Sequence, residues 1–182
     1  MTQALFYIFK TLTQLYIALY LLRFWMPLVG ADFRNPIAQA VLRLTSPLVI
    51  PLRRFLPSVG RIDTATVVVM VILQGLVIAA LMLIVGRPIE PLPLFIATAV
   101  ELAILSLYLF MFAIIIRVVL SFVAQGGYHP LGAVAASLSD PILRPFRRLV
   151  PPIGGLDLTP LFAFILLQAM IIFLISLKPP GL

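Results

Sequence analysis

The stretch SPLVIPLRRFLPSVGRID, Ser46 to Asp63, is written a second time as DPILRPFRRLVPPIGGLD, Asp140 to Asp157. Prolines recur at Pro47/Pro141, Pro51/Pro145 and Pro57/Pro151, arginines at Arg53/Arg147 and Arg54/Arg148, and glycine at Gly60/Gly154. The same spacing reaches upstream to Arg23/Arg117, Pro36/Pro130 and Leu44/Leu138, and downstream to Gln74/Gln168. Chance does not place so many prolines and arginines in one register. The chain is therefore two tandem copies of one unit.

The sequence around these stretches suits lipid. Hydrophobic residues make up 63% of the 182 and charged residues 10%, with a mean hydropathy of +1.19. A water-soluble domain of this length cannot hide so much apolar surface. A hydrocarbon core of ~30 Å needs ~20 apolar residues per helical crossing. Four runs meet that length, at about 4–29, 63–85, 93–124 and 157–177. A removable leader is a poor reading of the first, which lacks a basic leading region and carries Lys10 and Gln14 inside the apolar run.

These runs predict an all-α membrane protein of four transmembrane helices in two parallel repeats, 1–85 and 93–177. Each repeat reads as helix, interfacial segment (30–62 or 125–156), helix. The short turn GRPIEPLP, Gly86 to Pro93, makes spans two and three antiparallel neighbours. Each copy holds two spans, so the copies share one orientation, and a pseudo-two-fold axis along the membrane normal is expected.

The formal charge of +7 sits on residues that are almost all arginine, and most of these lie in the two long connections. Arg87 and Lys178 stand on the other side. The positive-inside bias makes the side of the long connections cytoplasmic and puts both termini outside. In a membrane protein such an excess sets topology and meets anionic headgroups; nothing in the sequence points directly to nucleic acid.

Within the connections, Asn35-Pro36 and His129-Pro130 read as an N-cap followed by proline at the first helical position. Ile37, Val41 and Leu44, with Leu131, Ala135 and Leu138, then form the apolar face of an interfacial helix. Pro51 and Pro145 follow too soon for a long regular helix, which predicts short kinked pieces. Arg53, Arg54, Arg147 and Arg148, set among apolar neighbours, read as contacts to lipid headgroups or to an acidic partner.

Arg23 and Arg117 lie inside apolar helices, where a charge must snorkel or find a partner. Asp63 and Asp157 begin the next spans from the same side. Each aspartate reads either as a helix cap or as the partner of its arginine, Arg23 with Asp63 and Arg117 with Asp157. Gln74 and Gln168 read as interhelical hydrogen-bonding groups, or else as the lining of a hydrated path. Lys10 and Glu101 break the repeat and stand at similar depth, which allows a pair between repeats.

Catalytic chemistry has no foothold. Cysteine is absent, which removes disulfides and thiolate sites. The one histidine, His129, has Asn35 as its counterpart, and no phosphate loop, nucleophile-and-base set or acidic metal cluster is present. The expectation is a non-enzymatic protein with no cofactor, catalytic or metal residue.

The repeated proline, two arginines, proline, glycine and aspartate, preceded by Arg23 and Arg117, resemble the YggT family, called YlmG in plastids and cyanobacteria. The resemblance covers nearly the whole chain, and its two-copy layout is similar to that of the bacterial inner-membrane members. Ser46 in place of an acidic residue and Arg61 in place of a small one are departures. The resemblance implies an inner-membrane location and links to osmotic tolerance and ion uptake. In other members the links are to division, nucleoid distribution and assembly of photosynthetic membrane complexes. The expected function is a scaffold or assembly factor working with a membrane-protein partner or as a homo-oligomer. The alternative is an ion channel or transporter subunit for cation uptake.

Overall fold

The computed structural model describes residues 2–84, 86–123, 129–149 and 157–179. They form six helices: α1 (Thr2–Val29), α2 (Pro36–Arg53), α3 (Thr64–Ile84), α4 (Pro91–Val123), α5 (Pro130–Leu149) and α6 (Thr159–Ser176). α1, α3, α4 and α6 are long and apolar enough to cross a membrane, and α2 and α5 are the amphipathic connections. The chain is an all-helical membrane protein. The predicted span ends at Val85 and Ala124, with Pro151 and Gly154, lie outside the described residues.

α2 and α5 correct the expectation of short kinked pieces. Each is one helix, carrying Pro47 and Pro51 or Pro141 and Pro145 in its interior. Proline removes a backbone donor and frees the carbonyl four residues earlier. Spaced four apart, each pair occupies one face, and all four prolines are exposed. The freed carbonyls thus point away from the packed side. Next to Pro47, Ser46 Oγ donates to Leu42 O at 2.5 Å and Thr45 Oγ1 to Val41 O at 2.7 Å, which ties the same turn. Asn35 caps α2, its Oδ1 accepting from Ile37 N at 2.8 Å, with Pro36 next in line.

The buried stripe of α2 is Ala38, Val41, Thr45 and Val49, so Leu44, 57% exposed, falls outside the face assigned to it. In α5, Val134, Ala135, Leu138, Ser139 and Leu143 are buried. Both stripes recur at three- and four-residue intervals, as a helix with one packed side requires. Each carries a hydroxyl at the same repeat position, Thr45 or Ser139.

Within a repeat, every helix packs against the other two. Ile17, Tyr20, Leu21, Val49, Val69 and Met70 centre the first core, and Ile104, Ile114, Leu138, Leu143, Leu167 and Ile171 the second. Trp25 bridges the repeats. Its ring meets Phe110 edge-on at 4.8 Å, and its Nε1 donates to Ser106 Oγ at 3.2 Å. Asn35 adds a polar tie, Nδ2 donating to Pro130 O at 2.8 Å.

The junction between repeats is not a two-fold exchange of contacts. α3 packs on α4 and α1 on α5, but among the described residues α6 does not touch α1, nor α2 touch α4. Connectivity supplies the reason. The turn after Ile84 forces α3 beside α4, whereas no turn joins α6 to α1.

Candidate functional site

The polar residues of the first repeat gather where α1, α2 and α3 meet. Arg23 sits on α1, six residues before its last residue Val29, roughly 9 Å from that end at the rise of an α-helix. Its side chain is 4% exposed. Nη1 donates to Thr45 Oγ1 at 2.7 Å, Ser46 Oγ at 3.3 Å and Leu42 O at 3.3 Å. Nε lies 3.6 Å from Asp63 Oδ2 and makes no hydrogen bond. One guanidinium therefore ties a spanning helix to the proline-rich turn of α2.

Asp63 stands just before α3, positioned by the tight turn in which Val59 and Ile62 exchange backbone hydrogen bonds at 3.0 Å. Gly60 takes φ +60° there, a conformation that side chains with a Cβ adopt at a cost. The Asp63 carboxylate receives a fork from Arg53, Nη2 to Oδ2 at 2.5 Å and Nε to Oδ1 at 3.3 Å, and a bond from Thr66 Oγ1 at 2.7 Å. Burial pushes its carboxyl upward, but the bonds from Arg53 and Thr66 and the charges of Arg53 and Arg23 outweigh it. The group is held below the ordinary carboxylate value. The Asp63 hydrogen bond likewise holds the Arg53 guanidinium above its ordinary value, against its own burial.

The second repeat solves the same problem differently. Arg117 Nη1 donates to Ser139 Oγ at 3.0 Å, as Arg23 does to Thr45, but its carboxylate partner is Asp140. This corrects the expected Arg117–Asp157 pair. Asp140 occupies the position of Ser46, so here the interfacial helix brings its own carboxylate to Arg117, whose side chain is 27% exposed. Arg147 Nη1 approaches the same Asp140 Oδ1 at 3.5 Å. Asp157 is left 49% exposed, with Arg147 Nε at 3.7 Å. It turns to Thr159, accepting from its hydroxyl and, at 2.9 Å, from its backbone N–H. The Thr159 hydroxyl bond is the main cause holding the Asp157 carboxyl below the ordinary value.

Each arginine pair is divided in function. Arg53 and Arg147 turn to carboxylates, while Arg54 and Arg148 are exposed neighbours outside these bridges. α2 and α5 pack against each other, with Asn35 before α2 reaching Pro130 O of α5, and Arg54 and Arg148 stand at the far, C-terminal ends of the two helices. The glutamines divide as well. Gln74 is 2% exposed and its Oε1 lacks a hydrogen-bond partner. Gln168 is exposed, in a groove between α4 and α6.

Near the opposite side, Glu101 pairs with Lys178 and accepts from Gln14 Nε2 at 3.4 Å. The expected partner Lys10 is replaced because α4 packs on α6, and Lys178, just past α6, reaches back along it. A lysine can bury its stem and carry its charge this way. Two cavities, about 670 Å³ between α1, α4 and α5 and about 660 Å³ between α4 and α6, are lined almost wholly by apolar side chains. No group of three acidic or histidine side chains able to hold a metal occurs among the described residues.

No solved structure matches this chain. The protein PA0392 of Pseudomonas aeruginosa is 40% identical over 95% of the chain and 89% of its own length. YggT of Escherichia coli K12 is 36% identical over 90% of the chain and 85% of its own length. The chloroplastic YlmG homolog protein 2 of Arabidopsis thaliana is 53% identical, but over 19% of the chain and 14% of its own length. The family model described as CCB3/YggT matches twice, over residues 2–84 and 96–178, one match for each three-helix unit. The chain belongs to the CCB3/YggT family.

Proposed function

We propose that the chain is a non-enzymatic scaffold or assembly factor of the bacterial inner membrane. In this reading α2 and α5 lie on the cytoplasmic face and both termini are outside, as the arginine bias favours. The observation that carries it is the split of the arginine pairs. Arg53 fastens α2 to Asp63 at the start of α3 and Arg147 approaches Asp157 before α6 at 3.7 Å, while Arg54 and Arg148 are exposed beside them. A rigid basic platform at the headgroup level suits capture of anionic lipid and of an acidic segment of a membrane-protein partner. The buried polar groups near this face are engaged in bracing helices, and the cavities are apolar, which favours a scaffold over a hydrated pathway.

One observation favours conduction instead, the unpartnered Gln74 Oε1 near the middle of α3. Potassium and sodium flux in liposomes separates the readings. The scaffold reading expects no flux above that of protein-free vesicles. Flux that Gln74→Leu abolishes would make the channel reading primary.

A further inference from the structure

Gln74, Ile78 and Met82 on α3 are 2%, 6% and 5% exposed. Their repeat counterparts on α6, Gln168, Ile172 and Ser176, are all exposed, Ile172 at 61%. The difference does not come from the side chains, since the first two positions hold the same residue in both copies. It comes from α4. In the first repeat, Leu94 and Ala97 of α4 pack against Ile78 and Met82, and Leu102, Leu105 and Leu109 pack into the core beside α1 and α3. In the second, the equivalent groove, between α4 and α6, is open with a volume of about 660 Å³.

The missing insert has a close likeness on the molecule itself. The counterparts of Leu102 and Leu109 are Ile8 and Leu15 on α1, 53% and 61% exposed, whereas Leu102 is 8% exposed. α1 thus carries exposed apolar residues at two of the three positions with which α4 enters the first core, the third being the half-buried Thr11. We propose that α1 of a second copy fills the groove between α4 and α6. The contact between copies then repeats the contact already made inside the chain between α3 and α4. The occupant follows from this match, in which Ile8 and Leu15 recur exposed on α1 and the groove between α4 and α6 is open. Joining the back of one copy to the front of the next is heterologous, so it builds a ring or a chain rather than a two-fold dimer. The inference does not depend on the scaffold reading.

The intrachain junction sets the register. α3 and α4 run antiparallel, and a side-chain atom at Gly75 would lie 3.6 Å from Thr98 Oγ1. That places Val71 level with Leu102, so between copies Ile165 comes level with Ile8. The chain has no cysteine, which leaves a clean background for cross-linking in native membranes. Co-expressed full-length copies carrying Ile8→Cys or Ile165→Cys should form a covalent dimer on oxidation, and neither variant alone should. Val71→Cys with Leu102→Cys in one chain calibrates the oxidation. Dimers formed by Ile165→Cys alone would overturn the proposal in favour of a two-fold interface. Absence of the mixed dimer, with the intrachain pair closed, would overturn it in favour of lipid or another protein in the groove.

Discussion

At the scale of single residues, the two repeats amount to an internal substitution experiment. Arg23 takes its carboxylate from Asp63 at the edge of the next span, and Arg117 takes it from Asp140 on the interfacial helix. Removing one partner of a buried pair leaves an uncompensated charge and costs roughly 3–5 kcal/mol. Asp63→Asn is therefore expected to lower thermal stability in detergent by an amount of that order. Ser46→Asp, which copies the second repeat, is expected to restore most of it; failure to rescue would show that the two sites are not equivalent. The same carboxylate sets an acid limit. Its folded value lies below the ordinary 3.8, so its contribution is fully present above that pH and is lost as pH falls through the depressed value. Unfolding curves between pH 7 and 3 should show a step at the acid end that Asp63→Asn removes.

At the scale of elements, the interfacial helices carry two kinds of arginine, and their substitutions should separate. Arg54→Glu with Arg148→Glu is expected to weaken sedimentation with anionic vesicles at low salt, leaving insertion and melting unchanged. Arg53→Ala should do the reverse, lowering the melting temperature with a smaller effect on vesicle binding. Equal loss in both variants would refute the division. Gly60→Ala strains the turn that presents Asp63 and is expected to cost roughly 1 kcal/mol. The four spans were legible because length and apolarity alone define them. The continuity of α2 and α5 was not. Proline rules describe a helix interior in general, whereas these prolines all fall on one exposed face with Thr45 and Ser46 tying the adjoining turn. The role of Asp140 was hidden as well. Its counterpart is serine, and matching the repeats directs attention to what they share rather than to where they differ.

At the scale of the whole molecule, equivalent positions live in unequal surroundings. Ile172→Cys should react quickly with a maleimide in a detergent that holds the chain as a monomer, while Ile78→Cys, under α4, should be slow. Similar rates would mean that α3 and α4 separate readily. The sequence established that the repeats share an orientation, since each holds an even number of crossings. It could not establish that the junction is one-sided, because that depends on which helices a short turn forces together. The exposure of Gln168 was unreadable for the same reason.

The change of carboxylate donor also gives the protein a history as it is made. In the first repeat the arginine on α1 finds no carboxylate on α2 and must wait for Asp63, so its charge is answered only when the third helix is arriving. In the second, Asp140 arrives with the connection itself, and Arg117 is answered before α6 has been synthesised. The early half of the chain closes late, and the late half closes early. The last span then enters a membrane in which both arginines already have their carboxylates, while Glu101 on α4 still waits for Lys178 just past α6.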